Sequence, residues 1–300
     1  MRNVICVSDS HFGDRLGLCS DKAVKLDDGG WYEPSLFQAK VYKLWREFWD
    51  EWVPEVTRGE PFDFVHNGDV IEGVHHRATH QISHNIGDQI RLAEDILGPI
   101  VKDVRARGGR YFQIRGTPAH VGESAVYEEL LAKTLGAVPN KEGQFARYRL
   151  RLKTGKALTN FMHHIGTTSS SAHEASAINA ELTAEYVQAA RWGTQAPDFI
   201  VRSHRHRAIC VDLDTARGYG AAIVTPGWQG KTPFTWKIAG ARINDPQFGG
   251  ILIRHGDEEF YYRRKVWSLE PDEIEEEVVL EDHSLGVGNR VKKLFRKRNK

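Results

Sequence analysis

Two hydrophobic rhythms alternate along the first half of the chain. Residues 3–7 (NVICV) form a short β-rich run with no polar face, as a strand buried on both sides would. Residues 62–66 and 111–115 are predicted strands of similar length. Between them, apolar residues recur at three- and four-residue intervals. Leu36, Val41, Leu44, Trp45, Phe48 and Trp52 make one such stripe, introduced by Pro34 and Ser35. Ile90, Leu92, Ile96, Leu97, Ile100, Val101 and Val104 make another, closed by Gly108-Gly109. Both spacings predict amphipathic helices, and a third helix is expected around residues 124–135. Strand, polar loop and helix thus repeat three times, which predicts an α/β sheet with a ligand site beyond the carboxyl ends of its strands.

The second half has a different texture. Residues 146–153 (ARYRLRLK) alternate as a half-buried strand should, and 157–162 form another strand. A helix is expected over 170–192, then a strand at 199–202. Short strands at 209–213, 221–224, 251–253 and 260–266 follow, separated by Gly, Pro and Asp turns, and such close spacing predicts antiparallel pairing. The sum is a four-layer αββα sandwich, two mixed β-sheets flanked by helices, in one domain over residues 1–269. From residue 270 the composition shifts to an acidic stretch (PDEIEEEVVLED) and a basic end (VKKLFRKRNK), which predicts a flexible, solvated tail. Its basic end could also pair with the acidic stretch or touch nucleic acid phosphates.

With 300 residues, 40% of them apolar, the chain can bury a large core. A net charge of +1 argues against a surface that binds nucleic acid or membrane indiscriminately, so any polyanion site must be local. Three scattered cysteines, Cys6, Cys19 and Cys210, supply neither a disulfide framework nor a thiolate metal site. No apolar run approaches the ~20 residues of a membrane span, and MRNVICVSDS lacks the plan of a signal peptide. The expectation is a cytoplasmic protein without a membrane partner.

The chemistry gathers at the strand ends. Asp9 and His11, Asp69, His120, His163 or His164, and His204 with His206 each close a predicted strand. One acid in such a place usually shapes a turn or caps a helix. Five such ends in one chain point to a shared site. Carboxylates and imidazoles without thiolate suit Mn, Fe, Zn or Ni. Asp-X-His and His-X-His put alternate side chains on one face of an extended segment, and a rigidly held carboxylate such as Asp69 can bridge two cations. Two cations roughly 3.5–4 Å apart can share a hydroxide and clamp the oxygens of an in-line phosphoryl displacement.

Asp9-Ser10-His11, Gly68-Asp69, Gly116 with His120, His163-His164 and His204-Arg205-His206, in that order, resemble the calcineurin-like metallophosphoesterases over roughly residues 3–265, and in particular members met in bacteriophage and prophage genomes. The resemblance implies a hydrolase of phosphomono- or phosphodiesters with two divalent metal ions, manganese first. Asp9, His11, Asp69 and His206 would hold one metal; Asp69, the mid-chain histidine and His204 the other. His163 is preferred to His164, because Met162-His163-His164 resembles the family's phosphodiesterase pattern, in which the first histidine binds. His120 would protonate the leaving oxygen. The family's Gly-Asn-His is here Gly116-Thr117-Pro118-Ala119-His120, which leaves Thr117 a poorer ligand and Glu123 or water as substitutes. Asn67 is expected beside the site and His66 behind it. His75, His76, Arg77 and His80 lie in the following loop, where they either line the substrate cleft or face solvent. Trp228 either stacks a substrate ring or packs in the core. Two alternatives accompany this reading: a nuclease or phosphodiesterase acting on DNA or RNA, and a non-catalytic scaffold with a degenerate metal site.

Overall fold

The computed structural model describes residues 2–75, 77–122, 125–166, 173–233, 235–236, 245–256 and 260–268. They belong to a compact unit, Met1–Leu269; the tail expected over 270–300 lies outside the described residues. Strand β1 (Asn3–Val7) is followed by a small hairpin of β2 (Val24–Lys25) and β3 (Trp31–Tyr32) that the apolar pattern did not announce. Ser35 opens α1 (Leu36–Glu47) with a reciprocal capping box to Gln38. The expected single helix is in fact three pieces, because a π-helical turn at Phe48–Trp52 widens the spiral before α2 (Val53–Thr57). That widening brings Phe48, Trp49 and Trp52 together on the buried side.

Strand β4 (Phe62–His66), helix α3 (Ile86–Ala106) and strand β5 (Tyr111–Ile114) lie where the periodicity predicts them. A single-turn helix, α4 (Pro118–Val121), carries His120, and α5 (Val126–Thr134) fills the place of the third predicted helix. There follow β6 (Ala146–Arg147), β7 (Leu150–Thr154), β8 (Ala157–Phe161), α6 (Glu174–Trp192), β9 (Phe199–Arg202), β10 (Ile209–Thr215), β11 (Gly218–Val224), β12 (Gln247–His255) and β13 (Phe260–Ser268).

The first sheet has the order β13-β12-β1-β4-β5-β6 and the second β10-β11-β9-β8-β7. In the first, β1, β4, β5 and β6 run parallel, while β12 and β13 are antiparallel additions. In the second, β10 and β11 pair antiparallel, as their close spacing predicts, while β9 is parallel to both β11 and β8, so the sheet is mixed as expected. The reason lies in α6, which carries the chain back from the end of β8 to the start of β9 and so allows a parallel crossover.

Three apolar layers separate four structural ones. Ile5, Val7, Phe64 and Tyr111 of the first sheet pack on Trp45, Phe48, Leu97 and Leu131 of the helices. Val4, Cys6, Val65 and Phe112, on the opposite face, meet Leu152, Phe161, Phe199 and Val201 of the second sheet. Ile178 and Leu182 of α6 then cover Ile200, Ala222 and Val224. The architecture is the αββα sandwich. Cys6 and Cys19 are buried core thiols. No helix among the described residues is long and apolar enough to cross a membrane.

Candidate metal centre

Strands β1, β4, β5, β8 and β9 deliver their carboxyl ends to one place. Beyond β1 and β4 the two chains remain zipped: Asp9 N–H donates to the Gly68 carbonyl at 3.0 Å, and His11 N–H to the Asp69 carbonyl at 3.1 Å. Asp9, His11, Asp69, His204 and His206 all have positive φ, between 45° and 72°, a left-handed conformation that costs a non-glycine residue free energy. Strain repeated at residues from three strand ends, all facing one point, marks a built site. The glycines serve the same approach. A Cβ on Gly68 would lie 2.5 Å from His163 Nδ1, and one on Gly116 would collide with Asp69 Oδ1.

The ligand atoms converge in two groups that share the centre. His206 Nε2 is 3.3 Å from Asp9 Oδ1, and Asp9, His11 and His206 can bring one ligand atom each to a common point. His163 Nε2 is 3.0 Å and His204 Nδ1 3.8 Å from Asp69 Oδ2, which forms the second group. Asp69 also lies 3.9 Å from His11 Nε2, so it faces both. His163 and not His164 meets Asp69; His164 is exposed and packs its ring on those of His163 and His204.

Outer partners fix the tautomers. His163 Nδ1–H donates to the Asn67 carbonyl at 2.7 Å and His11 Nδ1 bonds Glu72 at 2.8 Å, which leaves both Nε2 lone pairs aimed inward. Asn67 sits behind the site: its side-chain amide donates to the Met162 carbonyl and to Ser203 Oγ, tying the two sheets together. His66 is likewise behind it, on Ser10 Oγ at 2.8 Å.

Two observations test whether these residues suit divalent cations. Asp9 Oδ1 and His11 Nε2 are buried and have no hydrogen-bond partner, an expense that a cation would remove. The electrostatics agree. Burial opposes a charged His163, yet the charge and hydrogen bond of Asp69, with Asp9 behind, raise its pKa to about 10. Burial opposes a charged His11 too, but Glu72, Asp69 and Asp9 raise it to about 9. Burial would raise the Asp9 and Asp69 carboxyls; His206 and His163 hold Asp9 well below the carboxylate range, and His163 and His120 do so for Asp69. Such a field favours positive charge at its centre, whether protons or metal. The residues fit.

Thr117 stands where the resemblance expects a stronger ligand. Its N–H and Oγ1 donate to Asp69 at 2.5 and 3.0 Å, and Oγ1 is 3.1 Å from His204 Nδ1. His120 Nδ1–H donates to the Glu72 carbonyl at 2.7 Å, and its ring lies edge-on to His11 with centroids 4.6 Å apart. Burial lowers its pKa to about 4, so the ring is a strong acid sparsely loaded at neutral pH. His75 Nε2 bonds Glu72 Oε1 at 2.7 Å, next to His120. His76 and Glu123 lie outside the described residues.

Trp228 must be corrected as a substrate platform. Its side chain is 0% exposed and packs among Trp45, Phe48, Phe248 and Trp267, so no ring face is open to a ligand. Sequence reasoning also missed Glu72, Asp14, Gln229 and Glu128. Glu72, buried beneath His11 and His75, had a weak signal: an acid between the buried pair Val70-Ile71 and Gly73, whose φ is +72°. Glu128 on α5 had none; it accepts the N–H groups of Val70 and Gly116, which flank Asp69 and Thr117.

No family model matches this chain, and no curated protein does. Among solved structures, Vps29 from Cryptosporidium parvum is 9% identical, covering 89% of this chain and 98% of that one at a TM-score of 0.35. A single mutant of Vps29 from Entamoeba histolytica is also 9% identical, covering 89% and 99% at 0.32. The Thermotoga maritima protein TM1076 is 11% identical, covering 90% and 100% at 0.33. Likenesses this distant carry no argument about the chemistry of this chain.

Proposed function

We propose that this chain is a calcineurin-like metallophosphoesterase, which hydrolyses a phosphoester at a dinuclear centre. The observation that supports this reading above all others is the convergence of Asp9, His11, Asp69, His163, His204 and His206, from three parallel-strand ends and the mid-chain strand, on two overlapping ligand sets. Asp9, His11 and His206 would hold one divalent ion, His163 and His204 the other, with Asp69 between them. Manganese is the ion the resemblance implies first, and iron, zinc or nickel also suit a set of carboxylate and imidazole donors. Two bound cations supply Lewis acidity at the phosphoryl oxygens and lower the pKa of water. The chain's own residues do the rest. Glu72 and Asn67 orient His11 and His163, Thr117 fixes the Asp69 carboxylate, and His120, when it takes a second proton at Nε2 from solvent while Nδ1–H stays on the Glu72 carbonyl, would give that proton to the leaving oxygen and return to its neutral form. His164, whose ring lies 5.3 Å from that of His204 on the exposed side, would be within reach of a substrate's phosphate.

The test is metal analysis joined to an activity screen of wild type and Asp69→Asn on an aryl phosphomonoester, an aryl phosphodiester, single-stranded DNA and duplex DNA. Manganese-dependent turnover that collapses in the variant is expected. Equal turnover by the two proteins would remove Asp69 from the centre, and a preference for diesters would move the reading to a nuclease. Metal retention without turnover on any phosphoester would favour the scaffold, a reading that the Thr117 substitution supports.

A further inference from the structure

A second cluster of ligand-type side chains lies behind the dinuclear centre. Asp14 and Glu72 are both buried carboxylates, and His80 brings Nδ1 within 3.0 Å of Asp14 Oδ1 and 4.0 Å of Glu72 Oε1. The ligand atoms of all three lie within 4.8 Å of one another. Among the described residues, histidines alone form ion pairs with these two carboxylates; no lysine or arginine does. Buried carboxylates without a permanent cation are costly.

Two features indicate what is missing. His80 Nδ1 is sealed from solvent, and its nearest carboxylate oxygen is Asp14 Oδ1 at 3.0 Å. Asp14 Oδ1 accepts the Leu16 N–H at 2.9 Å and keeps a lone pair for a further partner. Gln229, buried on the opposite side, lays its Nε2 on Asp14 Oδ2 and, at 3.1 Å, on Glu72 Oε2. An amide NH₂ spanning two carboxylates takes the place of a positive charge, and a half-turn of the same amide would offer Oε1 as a further ligand.

We propose that Asp14, Glu72, His80 and Gln229 form a third divalent-cation site, of manganese or zinc type, separate from the two cations of the proposed reaction. Two carboxylates, one imidazole and one amide oxygen suit such ions, and no thiolate narrows the choice further. Glu72 links the sites: its Oε2 is bonded to His11 Nδ1, so the third cation stands one imidazole away from the first. The proposal does not rest on the phosphoesterase reading, because it concerns occupancy and not turnover.

The experiment is equilibrium dialysis of the full-length protein against Mn²⁺, with bound metal counted by mass spectrometry, for wild type, Asp14→Asn, His80→Ala and Asp69→Asn. Wild type is expected to hold about three equivalents. Asp14→Asn and His80→Ala should each hold one fewer with an unchanged circular-dichroism spectrum, and Asp69→Asn should keep the third. Because His80 lies in a loop at the edge of the site, its variant tests the site even where Asp14→Asn does not fold. A His80→Ala variant holding as many equivalents as wild type, whatever that number, overturns the site. Asp69→Asn retaining every equivalent would instead overturn the dinuclear centre, while the His80 comparison stands.

Discussion

The two sheets reach the centre differently. The first supplies Asp9, His11 and Asp69, all at most 2% exposed, from turns zipped together by backbone hydrogen bonds. The second supplies His163, equally buried, and then His204 and His206 at 41% and 18% exposure. Both carboxylates of the centre therefore belong to the rigid, dry side, and the accessible imidazoles to the open side. Negative charge is fixed where the scaffold cannot move it, and the open side is left for a ligand to enter and leave. Strain follows the same division less sharply, since left-handed residues occur on both sides, at Asp9 and Asp69 as well as at His204 and His206.

The harshest way to break this contrast is Asp69→Asn, which removes charge from the buried side where both ligand sets meet. Loss of bridging should cost several kcal/mol of transition-state stabilisation, a fall in kcat/KM on the order of 1,000-fold. It should also remove most bound metal. Retention of wild-type metal content would mean that the dry side is structural only.

A smaller effect is expected on the open side. His206→Ala should weaken metal retention on the order of 100-fold, the scale seen even for outer partners of metal ligands. His204→Ala, at a more exposed and more distant position, should weaken it less. The contrast is sharpened if metal affinity ranks wild type above His204→Ala above His206→Ala, measured by competition with a chelating dye. Reversal of the two variants would show that exposure is a poor guide to ligand strength here.

Much of the dry side was legible in the sequence because each of its members closes an apolar run, and a polar residue in that position has few other places to go. Asp9, His11 and Asp69 carried that signal. His163 is buried and His164 exposed, but both lie past the end of β8, whose own residues are all buried, so the preference rested on the family resemblance and not on the strand's period. What stayed illegible needed partners from elsewhere. Glu128 reaches the Asp69 turn from α5 across 58 residues of chain, and Gln229 reaches Asp14 across 215. Neither distance leaves a periodic trace. Trp228 shows the reverse limit. A tryptophan after Pro226-Gly227 looks like a cleft residue, yet only the aromatic layer formed by α1 and its π-helical turn reveals that it is core. The π turn was invisible for a related reason, since a 3.6-residue rhythm reads through a local widening without losing its apolar face.

Glu128 offers a milder test, through stability and pH. Burial and the charge of Asp69 raise its pKa to about 7, against the hydrogen bonds from Gly116 and Val70 that lower it. The native state therefore keeps this proton when the unfolded chain, at about 4.3, has lost it. Stability from this group is greatest below about pH 4.3, falls as pH rises, and is fully lost above about 7, a change on the order of 3 kcal/mol. Glu128→Gln cannot ionise and exchanges one of two acceptors for a donor. At pH 5 the variant should be about 1–3 kcal/mol less stable than wild type. By pH 8 the gap should narrow or reverse, as measured by urea unfolding at both values. An equal gap at the two values would mean that Glu128 is ionised throughout, and that the dry side tolerates one more negative charge than its burial allows.

The gentlest probe is Thr117→Asn, made where the two sides touch. Thr117 Oγ1 is 3.0 Å from Asp69 Oδ2 and 3.1 Å from His204 Nδ1, so it already occupies the seam between the buried carboxylate and the exposed imidazole. A hydroxyl there satisfies Asp69 by donating to it, and so competes with a cation for the same oxygen. An Asn side chain reaches one bond farther and presents a carbonyl oxygen, which accepts and does not donate. It would take the cation's coordination without using Asp69 Oδ2 as an acceptor. The second equivalent of metal should then bind up to about tenfold more tightly, a difference of about 1.4 kcal/mol, with the first unchanged. Isothermal titration of both proteins resolves this. Weaker binding in the variant would mean that Thr117 is itself the better partner for this seam, and that the departure from Gly-Asn is an adaptation of the open side and not a loss.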